Sequence, residues 1–277
     1  MGASLSEGTL DFTSQPCVFV VGKAKREFLL HSDLVKRKSK SLGKIIDASF
    51  AEGQKGCVVL RDDDVETISA FTQFIYTGDY HLSFDMPAPD SENESHDKGN
   101  DKSNVHSWRQ PRNGLWQRFI SSHEYGSQMC SYSNRIDEYC SEPEDEFPDQ
   151  PCFNSARMDK DYSELFISHA KVHVFAQYYD VGALEDLSVT KLHGVLCEFA
   201  LSRERIGDIM ALVRYCYEPP GSERLRRMVA WYSAAIMSAD FSDEVAGLFF
   251  ELLTDKPEFA IQMAWFLSRR VIRSTWC

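Results

Sequence analysis

Between Met86 and Lys160 lie 75 residues that hold six of the ten prolines and carry 14 acidic against 8 basic groups, a local charge of -6. Runs such as Ala88 to Ser103 offer too little apolar surface to offset the entropy of ordering them. A chain interrupted in this way folds as two blocks. Residues 1–16 read as a flexible N-terminus, 17–85 as a first domain, 86–160 as an acidic, low-complexity, disordered insert, and 161–277 as a helical C-terminal region. The middle of the insert differs from its ends, because Trp108, Trp116, Phe119, Tyr125, Tyr132 and Tyr139 are interleaved with polar residues. That spacing is compatible with a short binding motif or with incidental aromatics.

The first block reads as a compact α+β unit. Cys17 to Val21 is an apolar, β-branched run; Gly22 and the basic residues after it turn the chain into Glu27 to Leu30, which predicts a hairpin. Ser32 or Asp33 is the expected cap of a short helix, and Ser39 of the next, through Leu42, Ile45 and Ile46. Cys57 to Leu60 predicts a third strand. Asp62, Asp63 and Asp64 then offer side-chain oxygens to the start of a helix through Val65, Ile68, Phe71 and Ile75, which Gly78 stops.

The second block reads as all-helical. Ser163 can cap a helix through Ile167, Ala170, Val174, Phe175 and Tyr178; Gly182 separates it from one through Leu184, Leu187 and Leu192. Ser202 opens a third through Ile206, Ile209 and Val213. After the break at Pro219, Pro220 and Gly221, three more are expected over Leu225 to Met237, Val245 to Leu253 and Pro257 to Ile272.

Composition narrows the function. With 277 residues and 43% hydrophobic content the chain can build about two cored domains. A net charge of -12 repels a polyanion, which excludes a general nucleic-acid binder. The first residues form no basic, apolar leader, and no stretch approaches the ~18 apolar residues of a spanning helix, so no membrane partner and a cytoplasmic or nuclear location are expected. Eight cysteines, none closer than ten residues to another, form no CxxC pair and read as reduced thiols.

Candidate chemistry is sparse. His169 and His173 stand one helical turn apart, but Ala170 occupies the place where HExxH needs Glu, and no third ligand stands at a telling spacing, so no metal is expected. Ser41 and Lys44 satisfy SxxK without its companion motifs. The Asp62–Asp64 run fits helix capping better than a cation, which wants six or more oxygens from a shaped loop. Lys36, Arg37, Lys38 and Lys40 read as a solvated helix end or a nuclear import signal. Met1, Gly2 and Ser6 match the loose myristoylation pattern without an adjacent polybasic stretch. No catalytic constellation and no cofactor site emerges, and a protein-interaction role is the expectation.

Residues Glu27 to His31, Ser32 to Val35, Ser39 and Leu42, Val58 to Leu60 with the acidic run after it, and Phe74 to Tyr80, ending Tyr-Thr-Gly-Asp-Tyr, together resemble the BTB/POZ domain, in particular that of fungal BTB proteins. Beyond the insert, His169 to Leu187 is similar to the helical segment that follows this domain in those proteins. The resemblance implies a non-enzymatic adaptor or scaffold that links a partner protein to a cullin ubiquitin ligase. The alternative is a self-associating transcription-related or structural protein without cullin binding. Such adaptors carry an apolar residue, any residue, then Glu. Phe50, Ala51 and Glu52 fall on that motif, which implies a partner-binding face of Phe50 and Glu52 with Ile46 and Tyr76. Family members commonly self-associate through the first helix and N-terminal strand, using an Asp before the first strand and a Lys after the His. Pro16 and Ser32 stand at those positions, which argues against homodimerisation by that route.

Overall fold

The computed structural model describes residues 14–52, 56–82, 114–125, 162–199, 205–237 and 243–274, which cluster into two compact units. Residues 1–13 of the expected flexible N-terminus, with the acylation pattern at Gly2, lie outside the described residues, as does most of the insert; the remainder of that segment is ordered by pairing, since Pro16 opens the first strand and Gln15 O accepts from Ser32 N.

The first unit combines the N-terminal block with Lys171–Glu185. Its sheet has the order β2-β1-β3, with β1 (Pro16–Val21) antiparallel to β2 (Arg26–His31) and parallel to β3 (Cys57–Leu60). Gly22, at φ +64°, and Lys25, at φ +51°, make the turn of the expected hairpin. Alternation sends Cys17, Phe19 and Val21 into the core and leaves Val18 and Val20 half-buried on the outer face.

Helices α1 (Ser32–Lys38) and α2 (Lys40–Ala51) carry the chain from β2 to β3. The expected cap of α1 is corrected: β2 runs straight into the helix, Ser32 is buried within its first turn, and its N–H donates to Gln15 O at 3.1 Å instead. Ser39 does cap α2, accepting from Leu42 N at 2.9 Å. Asp64 caps α3 (Val65–Thr77), accepting from Thr67 N and Oγ1 at 2.9 and 2.8 Å. Gly78 ends α3 at φ +79°, a left-handed conformation that costs a Cβ-bearing residue more.

The reading that assigned 161–277 to one helical region differs from the observed grouping. The boundary between units falls inside α5 (Tyr162–Tyr178) and again inside α6 (Gly182–Glu198). The Phe175 ring lies 5.2 Å from Phe71, which is itself 6.4 Å from Phe19. Ser39 Oγ donates to Tyr179 O at 2.5 Å, the Tyr179 hydroxyl donates to Asp63 at 3.3 Å, and Lys171 pairs with Asp64 at 3.6 Å. Apolar burial by Phe175 and Tyr179 therefore completes a core whose other walls lie about a hundred residues earlier in the sequence.

The second unit is helical, with α7 (Ile206–Cys216), α8 (Glu223–Ile236), α9 (Asp243–Asp255) and α10 (Pro257–Ser274) following α6. It also takes up part of the insert, which corrects the expectation of disorder at residues 114–125. There α4 (Gly114–Ile120) and a 3₁₀ turn (His123–Tyr125) bury Leu115, Trp116, Phe119 and Tyr125. Phe119 meets His193 at 4.7 Å, Tyr232 at 5.5 Å and Trp231 at 5.8 Å; Trp231 in turn stacks on Phe266 at 5.4 Å. Three aromatics within ten residues supply enough buried area to order a segment whose flanks are polar.

Candidate docking face

The face starts from α2, where two isoleucines are adjacent and only one can point inward. Leu42, Ile46 and Ser49 recur at helical spacing on the buried side. Ile45 is therefore turned out, 42% exposed, with Ala48 and Glu52 following it at three and seven residues along the same exposed stripe. Lys44 and Asp47 are exposed beside that stripe, and Asp47 is held by Lys36 at 2.6 Å.

Phe50 and Glu52 both sit at the end of this helix. The Phe50 ring is half-buried and lies against Gly56, which adopts φ +69° and where an added Cβ would run into the ring. Ser49 Oγ donates to Cys57 O at 2.9 Å on the same link. Phe50 thus clamps the end of α2 onto the start of β3, and Glu52, which ends the helix, is exposed. Ile46 requires a correction: it is 0% exposed, a core residue out of any partner's reach. Tyr76, 38% exposed, lies on α3 and reaches the end of β2, where its hydroxyl accepts from His31 N at 3.3 Å and meets His31 Nδ1 at 2.7 Å.

Among the described residues of the first unit, three exposed large aliphatic residues stand outside the expected site: Ile45, Leu29 at 68% and Val59 at 54%. The adjacent Ile45–Ile46 pair was a usable signal, because a helix one-sidedly packed has room inside for only one of two neighbours. Leu29 and Val59 were legible only once the strand phase was known.

Groups with chemical potential are arranged for packing. His169 and His173 are buried, and His173 Nδ1 meets Glu185 O at 3.2 Å. Among the described residues no group of three or more His, Cys, Asp or Glu is placed to hold a metal, and no helix is long and apolar enough to cross a membrane. Cys197 lies 3.9 Å from Nδ1 and 3.7 Å from Nε2 of His193. Near-equal distances to both nitrogens put the sulfur over the ring face, off the lone-pair direction a general base would use. His193 also donates from Nε2 to Phe119 O at 2.8 Å, and burial holds its pKa below the usual imidazole value. Burial raises the Cys17 thiol to about 11 and raises Cys216 further, which disfavours the thiolate.

The described surface of the first unit therefore offers exposed apolar side chains on α2 beside the exposed charges of Lys44, Asp47 and Glu52, a composition suited to macromolecular contact. Comparison with protein-family models, with curated proteins and with solved structures returns no match.

Proposed function

We propose that the chain is a non-enzymatic adaptor of the BTB/POZ kind, which docks a partner protein on the exposed face of α2. The observation that carries this reading is the stripe Ile45, Ala48, Glu52: an exposed β-branched residue in line with a carboxylate, on a helix whose end is clamped by Phe50. The element order supports it as well. A hairpin, two helices, a parallel third strand and a helix stopped at Gly78 agree with the resemblance carried by Glu27–His31 and Phe74–Tyr80. The partner the resemblance points to is the N-terminal domain of a cullin scaffold. An apolar side chain can fill a pocket there while the charge fixes orientation.

The test is capture of that domain by the full chain. Ile45→Asp and Glu52→Ala should each weaken capture by roughly tenfold or more, the scale of an interface anchor, with melting unchanged. Undiminished capture by both variants contradicts the assignment of the face, and absence of capture by the unmodified chain contradicts the partner.

A further inference from the structure

Beside the Ile45 stripe, the exposed side of α2 carries a second feature, and it is electrostatic. Residues 36–44 hold five cations and no carboxylate, in a chain whose net charge is -12. Two of the five are engaged by the fold. Lys36 lies against Gly43, where an added Cβ would come within 3.3 Å of its side chain, and it pairs with Asp47 at 2.6 Å; the Lys38 ammonium stands 5.2 Å from the centre of the Phe74 ring. The other three, Arg37, Lys40 and Lys44, are exposed and form no ion pair with any described residue. Asp180 is no exception: it follows Tyr179, whose carbonyl accepts from Ser39 Oγ, yet it is exposed and pairs with none of them.

The two lysines are unfavourable for the helix that carries them. Like charges one turn apart repel, and Lys40 lies in a first turn that holds no acidic residue, against the helix dipole. A local rule broken without compensation inside the fold is a mark of functional surface. Ala48 continues the row of Lys40 and Lys44 by one more turn, so the cations run into the stripe of Ile45, Ala48 and Glu52. We infer that α2 receives a partner segment rich in carboxylates, which lies over Lys40 and Lys44 with Arg37 at its edge, while an apolar side chain of the same segment meets Ile45. The inference rests on α2 being the docking face; it adds the charge of the partner and does not depend on that partner being a cullin. A nucleic acid fits less well, because its long row of phosphates meets the repulsion of the whole acidic chain. A short run of carboxylates meets mainly the local cations, since charges beyond about 8 Å are largely screened at physiological salt.

The probe is a short fluorescein-labelled peptide of alternating glutamate pairs and leucines, titrated with the full chain and read by anisotropy. Saturable binding is expected, weakening as salt rises and falling roughly tenfold in the double variant Lys40→Glu, Lys44→Glu. Thermal unfolding of that variant should not drop, because glutamate suits a helix start. Lys23→Glu with Lys25→Glu, the same change of net charge at the exposed hairpin turn, should leave binding as it was. No binding by the unmodified chain, equal weakening by both double variants, or displacement of the peptide by a single-stranded oligonucleotide as readily as by unlabelled peptide would each overturn the inference. Capture of the cullin domain separates this result from the proposed function. Peptide binding that needs Lys40 and Lys44 in a chain that captures no cullin upholds the inference and removes the cullin; cullin capture that Ile45→Asp abolishes and the Lys40, Lys44 variant leaves intact overturns the inference alone.

Discussion

The two units solve the same problem by different means. In the first, every short element begins or ends on a local device: Ser39 and Asp64 at helix starts, Gly78 at a helix end, Gly22 in the hairpin. Only the closing layer, Lys171–Glu185, comes from far along the chain. In the second, a cluster of Trp116, Phe119, Tyr125, His193, Trp231 and Tyr232 gathers from three separate stretches, and local devices matter less. A unit specified locally should tolerate loss of any one device at modest cost. A unit specified by one aromatic cluster should fail when its centre is removed.

The largest expected effect follows from that contrast. Phe119→Ala empties the centre of the cluster and should destabilise the second unit by about 3–5 kcal/mol, read by denaturant titration followed on tryptophan emission. Trp116 and Trp231 report directly on the site. If the segment 114–125 were a passive decoration, the midpoint would hardly move.

Next comes Phe175→Ala. If residues 171–185 complete the first core, this change should cost about 3 kcal/mol or more and speed hydrogen exchange in α3, where Phe71 loses its neighbour. Exchange confined to α5 would instead separate that helix from the first unit. Ser39→Ala removes both the cap of α2 and the bond to Tyr179 O, for a loss of about 1–2 kcal/mol. Asp64→Ala removes the cap of α3 together with the partly exposed ion pair to Lys171, and should cost about 1 kcal/mol.

The smallest effect is one of sign. Burial raises the Asp63 carboxyl above its ordinary range; the Tyr179 hydroxyl opposes this, and the charges of Asp64 and Asp62 add to it. A carboxyl that holds its proton more tightly when folded supports the fold at low pH. That support is lost as pH rises from the unfolded carboxylate range through the folded value. Asp63→Asn keeps an acceptor for Tyr179 Oη and should stabilise the first unit at neutral pH, with the gain shrinking as the medium is acidified below the carboxylate range. A gain that is independent of pH would contradict the burial argument.

The same contrast governs what could be read in advance. Capping oxygens, the hairpin glycine and the helix stop act on their immediate neighbours, so Ser39, Asp64 and Gly78 were legible from the residues around them. Helical phase placed Leu42 and Ile46 together, but the sequence alone did not say which of Ile45 and Ile46 faces solvent, and Ile46 was taken for a partner-binding residue. Trp116, Phe119 and Tyr125 were noticed as aromatics in a polar stretch. Their partners, His193 and Tyr232, are about 70 residues or more away, and no local periodicity announces such a contact. Phe50 was read from a three-residue motif; its packing on Gly56 depends on a backbone turn that only the fold reveals.

Calorimetric titration of the purified full chain with a cullin N-terminal domain tests the proposed function most directly. Saturable binding that Ile45→Asp weakens by about tenfold or more, with no change in thermal unfolding, is the predicted result. Binding of equal strength by Ile45→Asp and the unmodified chain, or no heat of binding from either, would contradict it.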